Sequence, residues 1–226
     1  GQVLTSTGAG TAPAWEDSSG VAGKVEGTNF TDSIIVGHST TGTLNAAQKN
    51  TAVGLDALQD ITSGDDNVVL GYQAGYDITS AGANVAIGSL ALWTNTTSNG
   101  NIAIGKAALK LTTGANNIGL GVNAGDNITS GAGNVILGAI IDADSATGAR
   151  QLKIAGNDGS TTTTWITGDN SGNLTFPADV TLGDDLHLDS DAAVLKFGDD
   201  GEITLTHDAD VGLKLKHTAT ADDKPI

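Results

Sequence analysis

The sequence predicts an all-β fold, a parallel β-solenoid in which each coil is one repeat of the sequence. The first observation is a short apolar phrase that includes glycine, as in "NVAIGSLAL" at residues 84–92. The second is the spacing of these glycines, which recur every seventeen positions with a single step of sixteen. The third is the length of the repeat, since seventeen residues are too few for a helical repeat, which needs about 33 residues to pack two helices. The glycines are Gly37, Gly54, Gly71, Gly88, Gly105, Gly121 and Gly138.

Residues 1–32 are expected to form a connecting segment and a cap that precede the repeats. The segment Val3 to Thr5 predicts a short strand, and a linker with Gly, Ala and Pro follows it. Trp15 comes directly after this linker. Because the ends of a solenoid must be covered, we expect Trp15 to close the first layer of the rod.

The repeats occupy residues 33–156 and make about seven coils. In each coil the apolar phrase predicts a short strand with one buried face, and a stretch rich in Thr, Ser, Gly and Asn returns the chain one layer up. Coils stacked ~4.8 Å apart would make a rod of roughly 30–35 Å. An Ala stands three residues after most of the glycines, in a segment that predicts either a second short strand or a turn. These residues are Ala57, Ala74, Ala91, Ala108 and Ala124.

The recurring glycine and asparagine are expected to have structural roles. The glycine either takes a positive φ or lets another backbone approach closely. Asparagine tolerates left-handed turns and can form side-chain ladders between identical layers. The repeat residues therefore predict the framework of the rod rather than a ligand site. The asparagines that open the phrases are Asn50, Asn67, Asn84, Asn101, Asn117 and Asn134.

A single column of such coils leaves apolar surface uncovered. One coil buries little apolar area, since its side chains are small, and a lone solenoid exposes edges and one apolar face. Three chains around one axis would cover the Ala, Ile and Val faces and create a continuous core. We therefore expect a homotrimer, although the periodicity alone leaves the number of chains open.

Residues 157–226 predict an acidic stem of short strands that continues into a further region. The step after Gly138 is expected to be one position longer than the ordinary step and to end at Gly156. Trp165 and Phe176 are predicted as larger core or cap residues, and residues 169–173 predict a turn. Alternating apolar and polar residues predict five strands, which would form a β-prism or a triple-stranded stem. Their sequences are "DVTL", "DLHLD", "AVLKF", "EITLTH" and "GLKLKH".

Composition excludes several classes of protein. The net charge of −16, with only 10 Lys and Arg, disfavours nucleic acid as a partner. The chain has no Cys, so it has no disulfide and no thiolate metal site. No apolar run is long enough to insert into a membrane. Because the chain begins at Gly1 and contains no Met, we expect it to be a piece of a longer or processed polypeptide.

No constellation of catalytic, cofactor-binding or metal-binding residues is predicted. The sequence lacks nucleophile-elbow, zinc-protease and phosphate-loop motifs, and too few aromatic residues are present for the sugar cleft of a hydrolase. The Asp-rich segments at 63–67 and 198–202 match no calcium loop and are interpreted as solvated turns. The four histidines lack ligand spacing. They are His38, His187, His207 and His217.

The phrases themselves carry a resemblance. "NTAVGLDAL", "NVVLGYQAG" and "NVAIGSLAL", each followed by a polar loop, resemble the head repeats of trimeric autotransporter adhesins. They are still more similar to a related repeat of bacteriophage tail-fibre proteins. The resemblance covers about Ser33 to Gly156 and implies a trimeric left-handed parallel β-roll.

The resemblance implies a structural function without catalysis. The first expectation is a trimeric rod of a phage tail fibre or similar virion appendage, which presents a host-binding tip. Its partners would be two further copies of the chain, other virion or fibre proteins, and a host-surface receptor or glycan. The alternative is a bacterial cell-surface trimeric adhesin or filament subunit. A fibre-borne glycan hydrolase is a third class.

Overall fold

A computed structural model of the chain describes residues 23–27, 30–37, 44–182, 194–197, 203–208 and 212–217. These residues fall into two units, one ending at Asp179 and the other beginning at Val180. Every regular element in these ranges is a β-strand, as the sequence predicts. The strands of the first unit are β1 (Gly23–Gly27), β2 (Phe30–Val36), β3 (Ala47–Gln48), β4 (Thr51–Val53), β5 (Val68–Leu70), β6 (Val85–Ile87), β7 (Ile102–Ile104), β8 (Ile118–Leu120), β9 (Val135–Leu137), β10 (Leu152–Asn157), β11 (Thr162–Gly168) and β12 (Leu174–Thr175).

Strands β2 and β4 to β10 form one parallel stack in sequence order. Each residue pairs with its equivalent in the next repeat, at an offset of 17, so that Val68 pairs with Val85 and Val85 with Ile102. Between β7 and β8 the offset is 16, since Ile102 pairs with Ile118, and the register is still kept. The prediction of a parallel β-solenoid with about seven coils, each one repeat long, is confirmed.

From Gly54 to Gly138, the segment that follows each phrase-ending glycine is a turn, which decides between the two predicted alternatives. In the coil of Gly88, residues 89–94 turn, and Leu90 and Leu92 take φ values of 61° and 54°. Neighbouring coils hold these residues from both sides. The Leu90 N–H donates to the Tyr72 carbonyl at 2.9 Å, and the Leu92 N–H donates to the Ala108 carbonyl at 3.0 Å. Backbone bonds between coils therefore maintain a conformation that leucine seldom adopts.

The interior of the stack is narrow, and two neighbouring coils fill it with small and large residues at exchanged positions. The middle residue of β6, Ala86, is fully buried, and Leu92 fills the rest of that layer. In the preceding coil the strand residue is the larger Val69, and Gly75 stands at the position of Leu92. A Cβ added to Gly75 would lie 2.9 Å from the Cδ1 of Ile78 and 3.4 Å from the Val69 side chain, so the space is already filled. In these two coils the exchange of a small and a large residue keeps the volume of the layer similar.

Antiparallel hairpins close both ends of the parallel stack. Strand β1 pairs antiparallel with β2 at the beginning, and β11 pairs antiparallel with β10 at the end. Strand β12 then adds to β11. Because these strands cover the first and last parallel strands, neither end presents a bare parallel edge.

The last coil is one position shorter than predicted and keeps the ordinary step. Leu137 pairs with Ile154, so the position equivalent to Gly138 is Ala155 and not Gly156. Lys153 is in register with the buried Ile136 and forms an ion pair with Asp144 at 2.7 Å. The apolar column ends here because a charged residue takes the next inward position.

Two aromatic residues predicted as core or cap are exposed in the chain. Trp165 is 55% exposed and Phe176 is 46% exposed, because both follow the last coil and have no layer above them. The predicted turn at 169–173 is confirmed, since the Asp169 carbonyl accepts a hydrogen bond from the Gly172 N–H at 3.2 Å.

The second unit contains a three-stranded antiparallel sheet. Its strands are β13 (Val194–Phe197), β14 (Ile203–Asp208) and β15 (Gly212–His217), which confirm three of the five predicted strands. The predicted strand "DVTL" at 179–182 is wrong, since those residues form no ladder. The segment "DLHLD", the strand at Val3 to Thr5 and the cap at Trp15 lie outside the described residues.

Candidate assembly face

The outer side of the parallel sheet carries two columns of aliphatic side chains. In each three-residue strand the middle residue points into the coil, so the first and third residues point outward. We call these two columns the assembly face. The first column is Ile34, Thr51, Val68, Val85, Ile102, Ile118 and Val135, and the second is Val36, Val53, Leu70, Ile87, Ile104, Leu120 and Leu137.

The assembly face is open to solvent in the single chain, with seven of its fourteen side chains exposed and the other seven partly buried. Val68 and Leu70 in β5 are 45% and 47% exposed, whereas Val69 between them is 1% exposed. Ile104 and Leu120, in later coils, are 39% and 37% exposed. An array of large aliphatic side chains across seven coils, with Thr51 as its one polar member, is typical of a surface that packs against protein.

The predicted repeat residues build the coils beneath this face. The seven phrase-ending glycines have φ between 123° and 143°, and the five predicted alanines are fully buried. A Cβ on Gly88 would stand 2.5 Å from the carbonyl oxygen of Gly105, so both reasons proposed for the glycine apply together. The alanines line the interior, the glycines are partly exposed where each strand ends, and none of these residues contributes a side chain to the assembly face.

The opening asparagines form the predicted ladder inside the rod. The Oδ1 of Asn84 accepts a hydrogen bond from the Asn101 N–H at 2.9 Å, and Asn84 itself donates its N–H and Nδ2 to the Oδ1 of Asn67, each at 3.1 Å. All six asparagines are fully buried. The ladder ends at Gln151, whose N–H donates to Asn134 at 2.8 Å. A buried polar column that is satisfied in this way fixes the register of successive coils.

Sequence reasoning missed a strip of unlike side chains on the turn side of the coils. Five residues after the glycine stand Tyr76, Trp93 and Lys110 in three successive coils. The rings of Tyr76 and Trp93 lie 6.2 Å apart, and the Lys110 Nζ lies 5.5 Å from the Trp93 ring. Alignment of the repeats on the glycine places these three residues in one column, and this shared position is the signal that could have found the strip.

Carboxyl groups of neighbouring coils come together beside this strip. Burial raises the pKa of Asp77 above its ordinary value of 3.8, and the charge of Asp60 in the preceding coil raises it further. Burial also raises the pKa of Asp126, as do a hydrogen bond with Asp142 and its charge, while Lys110 acts in the opposite direction. The stacking that aligns identical coils therefore also aligns like charges, which opposes folding at neutral pH.

These carboxyl groups predict that the rod becomes more stable as the pH falls from 7 toward 4. Their folded-state pKa values are raised, so the stability they contribute is present below about 3.8 and is lost as the pH rises through the folded values. Asp158 and Asp169 have lowered pKa values, because they accept hydrogen bonds. The stability that they contribute is therefore lost only when the pH falls below the range from 7 to 4. We expect Asp126→Asn to raise the thermal unfolding midpoint by a few degrees at pH 7 and to change it little at pH 4.

A matched substitution separates this effect from net charge. Asp179→Asn removes the same charge at an exposed residue outside the coils. Unfolding followed by circular dichroism at both pH values should show little change for this control. An equal gain from the two substitutions would mean that general repulsion, rather than the contact between Asp126 and Asp142, sets the pH dependence.

The described residues contain neither a candidate metal site nor a candidate membrane-spanning helix. No group of three His, Asp or Glu side chains within them is arranged to hold a metal ion. The part of the chain that the structure describes also has no helix long and apolar enough to cross a membrane. His38 and His187 lie outside the described residues, so the search for metal ligands does not include them.

Comparison with known proteins finds no match, whether the chain is compared with protein-family models, curated proteins or solved structures. The class is therefore established from the structure itself. Parallel strands in register, coils of nearly constant length and a buried column of small side chains define an all-β repeat protein of the parallel β-solenoid class.

Proposed function

We propose that this chain is a structural fibre protein, which forms a trimeric left-handed β-rod of a phage tail fibre or similar virion appendage. The rod holds a host-binding tip at a distance from the particle and has no catalytic role. Two further copies of the chain cover the assembly face, and other virion or fibre proteins join the ends.

The observation that carries this proposal is the assembly face. The coils already have their own buried interior of Ala, Val, Leu and Ile, so the outward Val, Leu and Ile residues are not needed for the core of a single chain. Water contact with such a surface is unfavourable by about 25 cal/mol per Å² of apolar area. Covering the columns with identical columns on other copies removes this cost along the whole rod, and a closed ring of three leaves no free apolar face.

The design of the ends supports a mechanical role. The antiparallel hairpins at β1–β2 and β10–β11 terminate the parallel stack without a free parallel edge, so coils do not add indefinitely from other chains. A rod of fixed length follows, and a defined length is what a spacer between a particle and its target requires.

Leu70→Lys is expected to separate the chains without unfolding the coils. Leu70 belongs to the assembly face, and a lysine there would bring three ammonium groups into an apolar interface, which costs several kcal/mol. Light scattering should give three chains for the wild type and one for this variant at the same concentration. Circular dichroism should show that the variant keeps its β-structure.

Leu111→Lys is the matched control. Leu111 is 44% exposed, close to the 47% of Leu70, but it lies in the turn after Gly105 and not on the sheet. It should remain a trimer. A well-folded wild-type monomer, or the same dissociation in both variants, would contradict the proposed assembly.

Electron microscopy tests the rest of the proposal. Thin rods with threefold symmetry attached to phage particles are the expected result, and antibodies against the purified chain should label those rods. Labelling of bacterial cell surfaces instead would support the adhesin, which the same resemblance implies as the alternative.

A further inference from the structure

Trp165 occupies an unusual position in the hairpin that closes the last coil. Strand β10 pairs Ile154 with Ile166 and Ala155 with Thr164, so Trp165 is the extra residue of a β-bulge. Bulges redirect side chains and are frequent beside functional sites. The indole is turned across Gly156, where an added Cβ would lie 2.8 Å from its ring, and yet the side chain remains 55% exposed. The ring is thus held in place against the sheet with much of its surface open to solvent.

A shallow cavity of about 280 Å³, wide open to solvent, lies beside this ring. It is lined by Gly156, Asn157, Asp158, Thr161, Thr163 and Trp165. The volume is just below the range of about 300–1,000 Å³ that is typical of small-molecule sites, which suits a single small ring rather than an extended chain. The lining combines one apolar aromatic wall with amide, carboxylate and hydroxyl groups.

The loop that carries the polar groups is ordered before any ligand arrives. The Oδ1 of Asp158 accepts hydrogen bonds from the N–H groups of Ser160 and Thr161, at 2.9 and 2.8 Å. The Asn157 side chain bridges the turn by accepting from the Gly159 N–H at 2.7 Å and donating to Thr162 at 2.7 Å. Ordering of this kind reduces the entropy lost on binding.

Several polar atoms remain available at the cavity. The Asp158 hydrogen bonds use only Oδ1, so Oδ2 is free to accept from a ligand hydroxyl. The hydrogen bonds from the Ser160 and Thr161 backbone also hold the pKa of Asp158 below its ordinary value, so this group is a carboxylate at neutral pH. The lining contains no Lys or Arg, so the carboxylate gives the cavity a negative charge.

We propose that this cavity binds an uncharged pyranose sugar, stacked on Trp165 and hydrogen-bonded through its hydroxyls to Asp158. The axial C–H groups of a pyranose carry small positive charges and pack on the negative face of an indole. The hydroxyls need acceptors and donors, which Asp158 Oδ2 and the Thr161 and Thr163 hydroxyls supply. Sugars with a carboxylate are excluded because Asp158 repels them. Sugar binding would be a function in addition to the structural role. All the lining residues come from one chain, so the site does not depend on the assembly of three chains.

The probes are methyl β-D-glucopyranoside and methyl β-D-galactopyranoside, with methyl β-D-glucuronide as the charged control. Ligand NMR with the full chain should show saturation transfer to the ring protons of the two neutral sugars. Titration should shift the indole N–H signal of Trp165, which is assigned from Trp165→Phe. We expect a Kd of about 1 mM, because a ligand with so few atoms makes few contacts. The glucuronide should show neither effect.

Three variants make the test specific. Trp165→Ala should weaken binding about tenfold, whereas Trp165→Phe keeps an aromatic face and should retain most of it. Asp158→Asn keeps Oδ1 as the acceptor in the turn and removes the charge, so it should weaken the neutral sugars about fivefold and let the glucuronide bind. Circular dichroism checks the fold of each variant.

Several outcomes would overturn the sugar site. The first is that neither neutral sugar binds at about 50 times the expected millimolar Kd. The second is that Trp165→Ala binds the neutral sugars as well as the wild type does. The third is that the wild type binds the glucuronide as well as it binds the neutral sugars. A change in the number of chains on Trp165→Ala would also overturn it, because the indole would then be a contact between copies. A wild-type monomer with intact sugar binding would instead count against the trimeric rod alone.

Discussion

Gly88→Val is expected to prevent stable folding. Gly88 has a φ of 131°, a region that side-chain-bearing residues rarely occupy, and its added Cβ would lie 2.5 Å from both the carbonyl carbon and oxygen of Gly105. The obstacle is backbone of the next coil, so no rotamer change relieves it, and the Gly88 N–H would lose its bond of 2.7 Å to the Leu70 carbonyl if the coil moved. We expect a loss of more than about 4 kcal/mol, a large part of the stability of an ordinary domain.

Denaturant unfolding followed by circular dichroism measures this effect, with Asn99→Ser as the control. Asn99 is exposed in the polar loop, where its Oδ1 accepts one hydrogen bond from the Gly82 N–H at 2.7 Å. A serine hydroxyl is a shorter acceptor, so the loss should be about 1 kcal/mol or less. Similar midpoints for the two variants would contradict the alignment of coils on the glycine.

Most of the fold is predictable from the sequence because the same short pattern of packing residues recurs in seven repeats. Six of the seven repeats present Asn, an alternating strand and Gly in the same order, the first has Ser33 in place of Asn, and stacking then fixes which residues meet. The turn conformation is different. Leu58, Leu90 and Leu92 all adopt left-handed φ angles, although leucine avoids this region. Hydrogen bonds to the coils on either side impose the conformation, and local sequence preference carries no sign of it.

The end of the stack after Gly138 is a place where the sequence predictions fail. The glycine at 156 resembles one more phrase ending, yet the register places Ala155 there. The antiparallel return of β11 makes Gly156 a partner of Thr163 instead, where it accommodates the ring of Trp165. Once the repeat ends, periodicity no longer constrains the register. The predicted cap role of Trp165 therefore had no support beyond residue size.

The sequence predicts that each strand has an outward apolar side, but it does not predict whether that side is covered in the folded chain. The alternation in "VAIG" already indicates that Val85 and Ile87 point away from Ala86. Whether that outward side is covered by the returning segment of the same coil depends on the turn, and the structure shows it uncovered. The sugar site was not predictable, because the β-bulge at Trp165 arises from a register shift that no residue pattern marks.

Asn84→Ala should destabilise the rod by about 2–4 kcal/mol. It removes the acceptor of the buried Asn101 N–H, leaves the Oδ1 of Asn67 without its side-chain donor, and creates a small cavity. A buried donor without an acceptor alone costs about 1–3 kcal/mol. Denaturant unfolding gives the loss, and Asn99→Ala, which removes an exposed amide from the polar loop, should cost no more than about 1 kcal/mol.

Asn84→Asp distinguishes a ladder from a simple acceptor. A carboxylate still accepts from the Asn101 N–H, so the variant would be nearly neutral if acceptance were all that the position requires. The amide also donates to Asn67, and a carboxylate places oxygen against oxygen in a fully buried site, so we expect a loss at neutral pH at least as large as for Asn84→Ala. Burial raises the pKa of the new carboxyl group, and its protonated form regains a donor. Stability should therefore recover as the pH falls through that raised value, whereas Asn84→Ala would show no such recovery beyond that of the wild type. The contrast between the two variants measures what the amide hydrogen contributes to holding one coil on the next.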